Sequence, residues 1–159
     1  MDSFGDTNPH KMPKHLFFGA IFINYDSAER ADVAKQNFSV CPRHWYIDAT
    51  FRCEACGSKF VFMVKEQRFW YEDRRFYVDS QPRRCPACRK KERRMKLLKQ
   101  QYDSLIAEAI SSKDVSKKTT VVGILDELAS TSLRLPKRML EHRQLLLRQM
   151  RKLQAKPSA

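Results

Sequence analysis

Apolar and polar residues are arranged in three regimes along this chain, and each regime predicts a different kind of element. Residues 1–15 are polar and carry Pro9 and Pro13, which predicts a loose tail. The continuous apolar run from Leu16 to Ile23 reads as a strand or a buried segment. Asp26 to Asn37 is rich in alanine behind a cap-like Asp26 or Ser27, which predicts a short helix. From Trp45 to Phe51 the chain is aromatic and β-branched, as a strand requires, and Lys59 to Val64 reads as its return strand. Lys65 to Asp73 is too charged for a buried strand and predicts a helical turn that lays Phe69 and Trp70 over the sheet. Arg75 to Val78 predicts a third strand, with a turn over Asp79 to Pro82.

Beyond residue 88 the apolar period becomes helical. Met95, Leu98, Tyr102, Leu105, Ile106 and Ala109 recur at steps of three and four, which predicts one helix from about Arg89 to Ser111. A polar break over Ser112 to Lys118 precedes a shorter helix over Thr120 to Ala129, with Val121, Ile124, Leu125 and Leu128 on one side. Pro136 opens a last helix carrying Leu145, Leu146, Leu147 and Met150, and the chain beyond about Gln154 is expected to fray. Residues 119–153 are expected to fold back on the helix that begins at Arg89. The fold class is α+β.

Four of the five cysteines fall in two tight pairs, Cys53-Glu-Ala-Cys56 and Cys85-Pro-Ala-Cys88. Two intervening residues let both thiolates of a pair reach one ion, and two such pairs complete a tetrahedral shell; Zn2+ is the expected cofactor. Four thiolates leave no open coordination position, so the site reads as structural. The pairs are separated by 28 residues, enough for a hairpin plus an excursion. Gly57 stands where the first knuckle needs a positive φ. Cys41 and His44 form a further C-x2-H spacing beside a ligand set that is already complete, and they read as a buried cysteine and a histidine among aromatics. The domain organisation read from these features is an N-terminal extension over 1–40, a four-cysteine zinc β-ribbon over 41–94 and a helical region over 95–159.

Charge changes the picture from fold to partner. The formal net charge is +13, with −1 on residues 1–50, +9 on 51–100 and +5 on 101–159. Such an excess beside a metal module points to a polyanion. Arg83, Arg84, Arg89, Lys90, Arg93, Arg94 and Lys96 are the candidate contacts to nucleic acid, either RNA or DNA, gripping phosphates without reading sequence. The alternative for the same residues is a solvated helix face. Rings between Trp45 and Tyr77 supply candidate stacking platforms, although most are needed for the core of so small a module.

Catalysis finds no support: the chain has no Gly-rich phosphate loop, no H-E-x-x-H and no G-x-S-x-G, so neither an enzyme nor a small-molecule substrate is expected. The longest apolar run, at eight residues, is too short for a membrane span, and no membrane partner is expected. Reduced cysteines make the cytoplasm the expected compartment.

At Cys41-Pro-Arg-His-Trp-Tyr-Ile-Asp48, Cys53-x2-Cys56-Gly57, Gln67-x2-Trp70-Tyr71-Glu72 and Arg84-Cys85-x2-Cys88-Arg89 the chain resembles the bacterial family called the probable zinc-ribbon (zinc-binding) domain, over residues 41–94. The resemblance implies that Cys53, Cys56, Cys85 and Cys88 are the metal ligands, and it implies no biochemical role. The knuckles also look like those of rubredoxins, which hold iron for electron transfer, but Arg89 stands where that pattern has a small residue. The expected function is thus a non-catalytic zinc module binding nucleic acid, with RNA or the ribosome ahead of DNA. The alternatives are a protein-protein interaction adaptor using the C-terminal helices and an iron electron carrier.

Overall fold

The computed structural model describes residues 1–131 and 134–155 and divides into two compact units, Met1–Cys88 and Arg89–Ala159. The first unit is built on an antiparallel sheet of β1 (Phe22–Arg30), β2 (Trp45–Arg52) and β3 (Lys59–Phe62), in that spatial order. Period-two burial along β2 places Ile47, Ala49 and Phe51 inside, and Ala49 and Phe51 lie opposite Phe62 and Phe60 of β3. A five-residue helix, α1 (Val64–Arg68), follows β3 and widens into a π turn over Phe69–Asp73, closed by Arg74 N donating to Phe69 O at 2.9 Å. Trp70 packs edge-on against Phe62 at 5.1 Å, as the sequence predicts, whereas Phe69 is half exposed and Tyr71 takes the buried place.

Polar residues pin this unit as firmly as apolar ones do. Gln67 is fully buried; its Nε2 donates to Ile47 O at 2.6 Å and Phe62 O at 2.8 Å, which fixes α1 to β2 and β3. Asp48 Oδ1 accepts from Val64 N at 2.7 Å and so satisfies a first-turn donor of α1 from a neighbouring strand. Tyr71 Oη donates to Ser80 O at 2.6 Å, and Asp32 N donates to Glu72 at 3.1 Å. The Gln-x-x-Trp-Tyr-Glu stretch is therefore a structural clamp.

Four expectations for this unit are corrected. Residues 1–15 are not a loose tail: they form 3-10 turns that bury Met12, and Trp45 Nε1 donates back to Gly5 O at 3.0 Å. Gly5 is required there, since its φ is 76° and an added Cβ would lie 2.4 Å from Met12 N. Asp26 to Arg30 belongs to β1 rather than to a helix, because Glu29 and Arg30 pair with Tyr46 and Trp45 after a register shift; the 3-10 turn over Val33–Lys35 is all that remains of the predicted helix. At the shift Ser27 Oγ accepts from Asp48 N at 2.8 Å, replacing a ladder bond. Arg75 to Val78 is not a third strand, since the segment contributes one isolated bridge, Asn37 to Tyr77. The Leu16 to Ile23 run is split as well: Leu16 and Phe17 are buried, while Phe18, Ile21 and Phe22 are exposed.

The second unit is helical. α2 (Pro86–Ser111), whose first turn belongs to the first unit, α3 (Val115–Thr131) and α4 (Lys137–Gln154) bury Leu98, Tyr102, Val121, Leu125, Leu128 and Leu146 in one cluster. The polar break shrinks to Ser112–Asp114, because Lys118 is buried inside the bundle, where Nζ donates to Ala109 O at 2.6 Å and Gln149 Oε1 at 2.7 Å. A cation against the last carbonyls of α2 opposes the negative end of its dipole. The expected fraying beyond Gln154 lies, from residue 156 on, outside the described residues. A chain ending at Ser112 should expose Leu98, Tyr102 and Ala109 and aggregate, as light scattering would register; a monomeric product of unchanged helicity would contradict this packing. No helix among the described residues is long and apolar enough to cross a membrane.

Candidate metal centre

Cys53 directly follows β2, and the chain turns over Glu54–Cys56 before β3 begins at Lys59. The turn is closed by Gly57 N donating to Cys53 O and Cys53 N donating to Ser58 O, and Gly57 sits at φ 73° as its position requires. The second pair is held differently. Cys85 immediately precedes Pro86, the first residue of α2, and Cys88 lies in that helix's first turn with its N–H 3.4 Å from Cys85 Sγ. Glu54 N donates to Arg83 O at 2.9 Å, which ties the hairpin turn to the segment entering the helix.

The four Sγ atoms all lie within 4.8 Å of one another. A tetrahedron of metal–sulfur bonds near 2.3 Å has edges of about 3.8 Å; Cys56 Sγ and Cys85 Sγ are 3.9 Å apart. The donor set therefore fits one tetrahedral ion of the size and softness of zinc, and the cysteines are all free thiols. The N–H of Cys85, helped by those of Cys56 and Ala55, holds the Cys53 thiol down to about 6. The Ser58 side chain, its Oγ 2.9 Å from Cys56 Sγ, lowers Cys56. Cys88 is pushed up to about 12, first by the Cys85 thiol and then by Cys56. Hydrogen-bond donors thus favour thiolate at the hairpin while crowded sulfurs resist it at the helix, and a dication relieves that conflict by drawing off the protons. Ser58 is the residue of this centre that the knuckle spacing does not reveal.

Cys41 and His44 stay apart from the cluster. Cys41 is buried, with burial raising its thiol pKa, and its Sγ lies 3.8 Å from His15 Nε2; His44 Nδ1 faces Asp6 at 3.3 Å.

The basic residues have unequal standing. On α2, Lys90, Arg93 and Lys96 are exposed and recur every three residues, with Lys99 continuing the series. Arg94 is occupied: Nε and Nη2 reach the two carboxylate oxygens of Glu127 at 2.7 and 2.8 Å, and the pairing raises Arg94 and lowers Glu127. Arg89 and Arg84 also have partners within the chain, and Arg83 is exposed in the segment before Cys85.

No curated protein and no solved structure matches the chain. Residues 47–96 match the family model described as a probable treble clef domain, which bears out the zinc-binding family resemblance read over residues 41–94 and sets the four cysteines in a zinc-binding treble clef domain.

Proposed function

We propose that this protein is a non-catalytic zinc module that binds nucleic acid, RNA ahead of DNA, through the basic face of α2. The zinc is held by Cys53, Cys56, Cys85 and Cys88 and serves to fold the module, since four thiolates leave no position for water or substrate. The observation that carries the reading is the exposed series Lys90, Arg93, Lys96 and Lys99 on the helix that leaves the metal centre, in a stretch of net charge +9. Without a base-reading motif such a helix grips phosphates. A cytoplasmic setting keeps the thiols reduced. The adaptor alternative would use α4, where Leu146 is buried in the helical core while Leu140 is exposed.

Binding is expected to weaken steeply with salt. Each phosphate contact contributes about −0.7 to the slope of log K against log salt on single strands and about −0.9 on duplex DNA. Changing Lys90, Arg93 and Lys96 to Glu should flatten the slope by about two units on a single strand, without loss of bound metal. Parent and triple variant binding alike, or a parent that binds neither RNA nor DNA at low salt, would overturn the reading in favour of a solvated surface.

A further inference from the structure

One face of the three-stranded sheet carries rings and cations that the helix reading does not use. The register places Phe22 opposite Thr50 and Thr50 opposite Val61, so these three side chains share the outward face; Phe22 is 63% exposed and Val61 44%. Two residues along, Arg52 lies directly opposite Lys59 on the same face, and both are exposed. Like charges directly opposed across two strands destabilise a sheet. Arg52 spends one N–H on Gly57 O at 2.9 Å and keeps other donors. An anion seated between Arg52 and Lys59 turns an unfavourable pair into a binding site. Arg52 also lines a cleft of about 630 Å³, together with Phe18, Arg83 and the acceptors Glu54, Asp79 and Ser80. Phe18 is 84% exposed there.

We propose that this face binds unpaired nucleotides of a single-stranded nucleic acid, with a base stacked on Phe22, a phosphate between Arg52 and Lys59, and a second base at Phe18 in the cleft. The inference rests on the nucleic-acid reading above but uses other residues and adds a preference for single strands. Aromatic faces accept any base, but a duplex hides its bases within the stack. Glu54 and Asp79 supply acceptors for base N–H donors, the N3–H of uracil among them. Strand spacing of about 4.8 Å and a two-residue step of about 6.7 Å bring Phe22 and the Arg52–Lys59 pair within reach of one nucleotide and its neighbour.

Fluorescence anisotropy with labelled oligouridine and a hairpin duplex tests this on the full chain with its metal bound. Phe22→Ala and Phe18→Ala should each weaken oligouridine binding about 5-fold or more and leave duplex binding unchanged. Both side chains are exposed, so thermal stability should hold. Lys59→Gln should also weaken oligouridine binding without lowering the Tm, because it removes a repulsion. If both probes weaken alike, if neither aromatic substitution has an effect, or if Lys59→Gln lowers the Tm with binding intact, the platform is overturned. Binding of the parent to phosphatidylserine vesicles through Phe22, with oligouridine ignored, would overturn it in favour of a membrane surface. The two readings fail separately: Phe substitutions without effect on a chain whose binding still depends on Lys90, Arg93 and Lys96 sink the platform alone, and a parent that binds no nucleic acid sinks both.

Discussion

Replacing Cys85 by Ser is expected to unfold Met1–Cys88, and not merely to loosen it. Structural zinc contributes on the order of 10–16 kcal/mol of apparent binding free energy at neutral pH, which rivals or exceeds the whole stability of a small domain, about 5–15 kcal/mol. Cys85 is buried, and its sulfur lies between the N–H of Cys88 and the Cys56 thiol, so a hydroxyl there leaves three thiolates around an incomplete shell. The near-UV circular dichroism of Trp45, Tyr46 and Tyr71 should collapse and protease resistance should be lost, while helicity from α3 and α4 should persist, because the cluster around Leu125 and Leu146 contains no cysteine. A Cys85→Ser variant with the parent's near-UV signal and protease resistance would contradict a metal-held fold.

Arg43→Met should cost about 3–5 kcal/mol, a sum of one buried acceptor losing its donor and lost packing. Arg43 is 2% exposed, its guanidinium lies over the rings of Phe17 and Tyr71 at 5.3 and 4.9 Å, and it donates through Nε to Val78 O at 2.7 Å and through Nη2 to Leu16 O. Burial lowers its pKa. One planar cation thus joins the N-terminal turns to the segment before the second cysteine pair, and its carbonyl accepts from Gln36 Nε2 at 2.9 Å. Removing the cation takes the donor from Val78 O, while Leu16 O keeps Gln81 Nε2 at 2.6 Å, and it leaves two rings without their stacked partner; for a unit of this size a loss of that order lowers the Tm by more than about 10 °C. Arg43→Lys should recover little, since an ammonium cannot fork between two carbonyls while stacked on two rings. A fall of less than about 0.5 kcal/mol in urea unfolding of Arg43→Met would show that this cation is dispensable.

The contrast between Arg43 and the cysteines shows which parts of the molecule are legible in the sequence. A C-x2-C pair is a local object, since two residues of turn suffice to aim both sulfurs, and so the metal centre follows from spacing. α2 and α4 follow for the same reason, because steps of three and four place Leu98, Tyr102 and Leu146 on core-facing stripes without knowledge of what lies opposite. Arg43 carries no such signal: its partners lie 27 and 35 residues away, and a basic residue near the sheet reads as surface until those carbonyls are in place. The same non-locality hides β1. Asp26 to Arg30 has the composition of a helix, and only pairing with Trp45 and Tyr46 holds it extended. Likewise the apolar run Leu16 to Ile23 gives no hint that Leu16 is buried under Arg43 while Phe18 and Phe22 face solvent, since a continuous run has no period from which to assign sides.

The metal content of the purified chain tests the account at its base. Elemental analysis should return one zinc per chain, matching the cluster of Cys53, Cys56, Cys85 and Cys88, in a colourless protein that unfolds when a strong chelator removes the ion. Iron with a red colour, or a metal-free fold with the four cysteines joined in two disulfides, would contradict it.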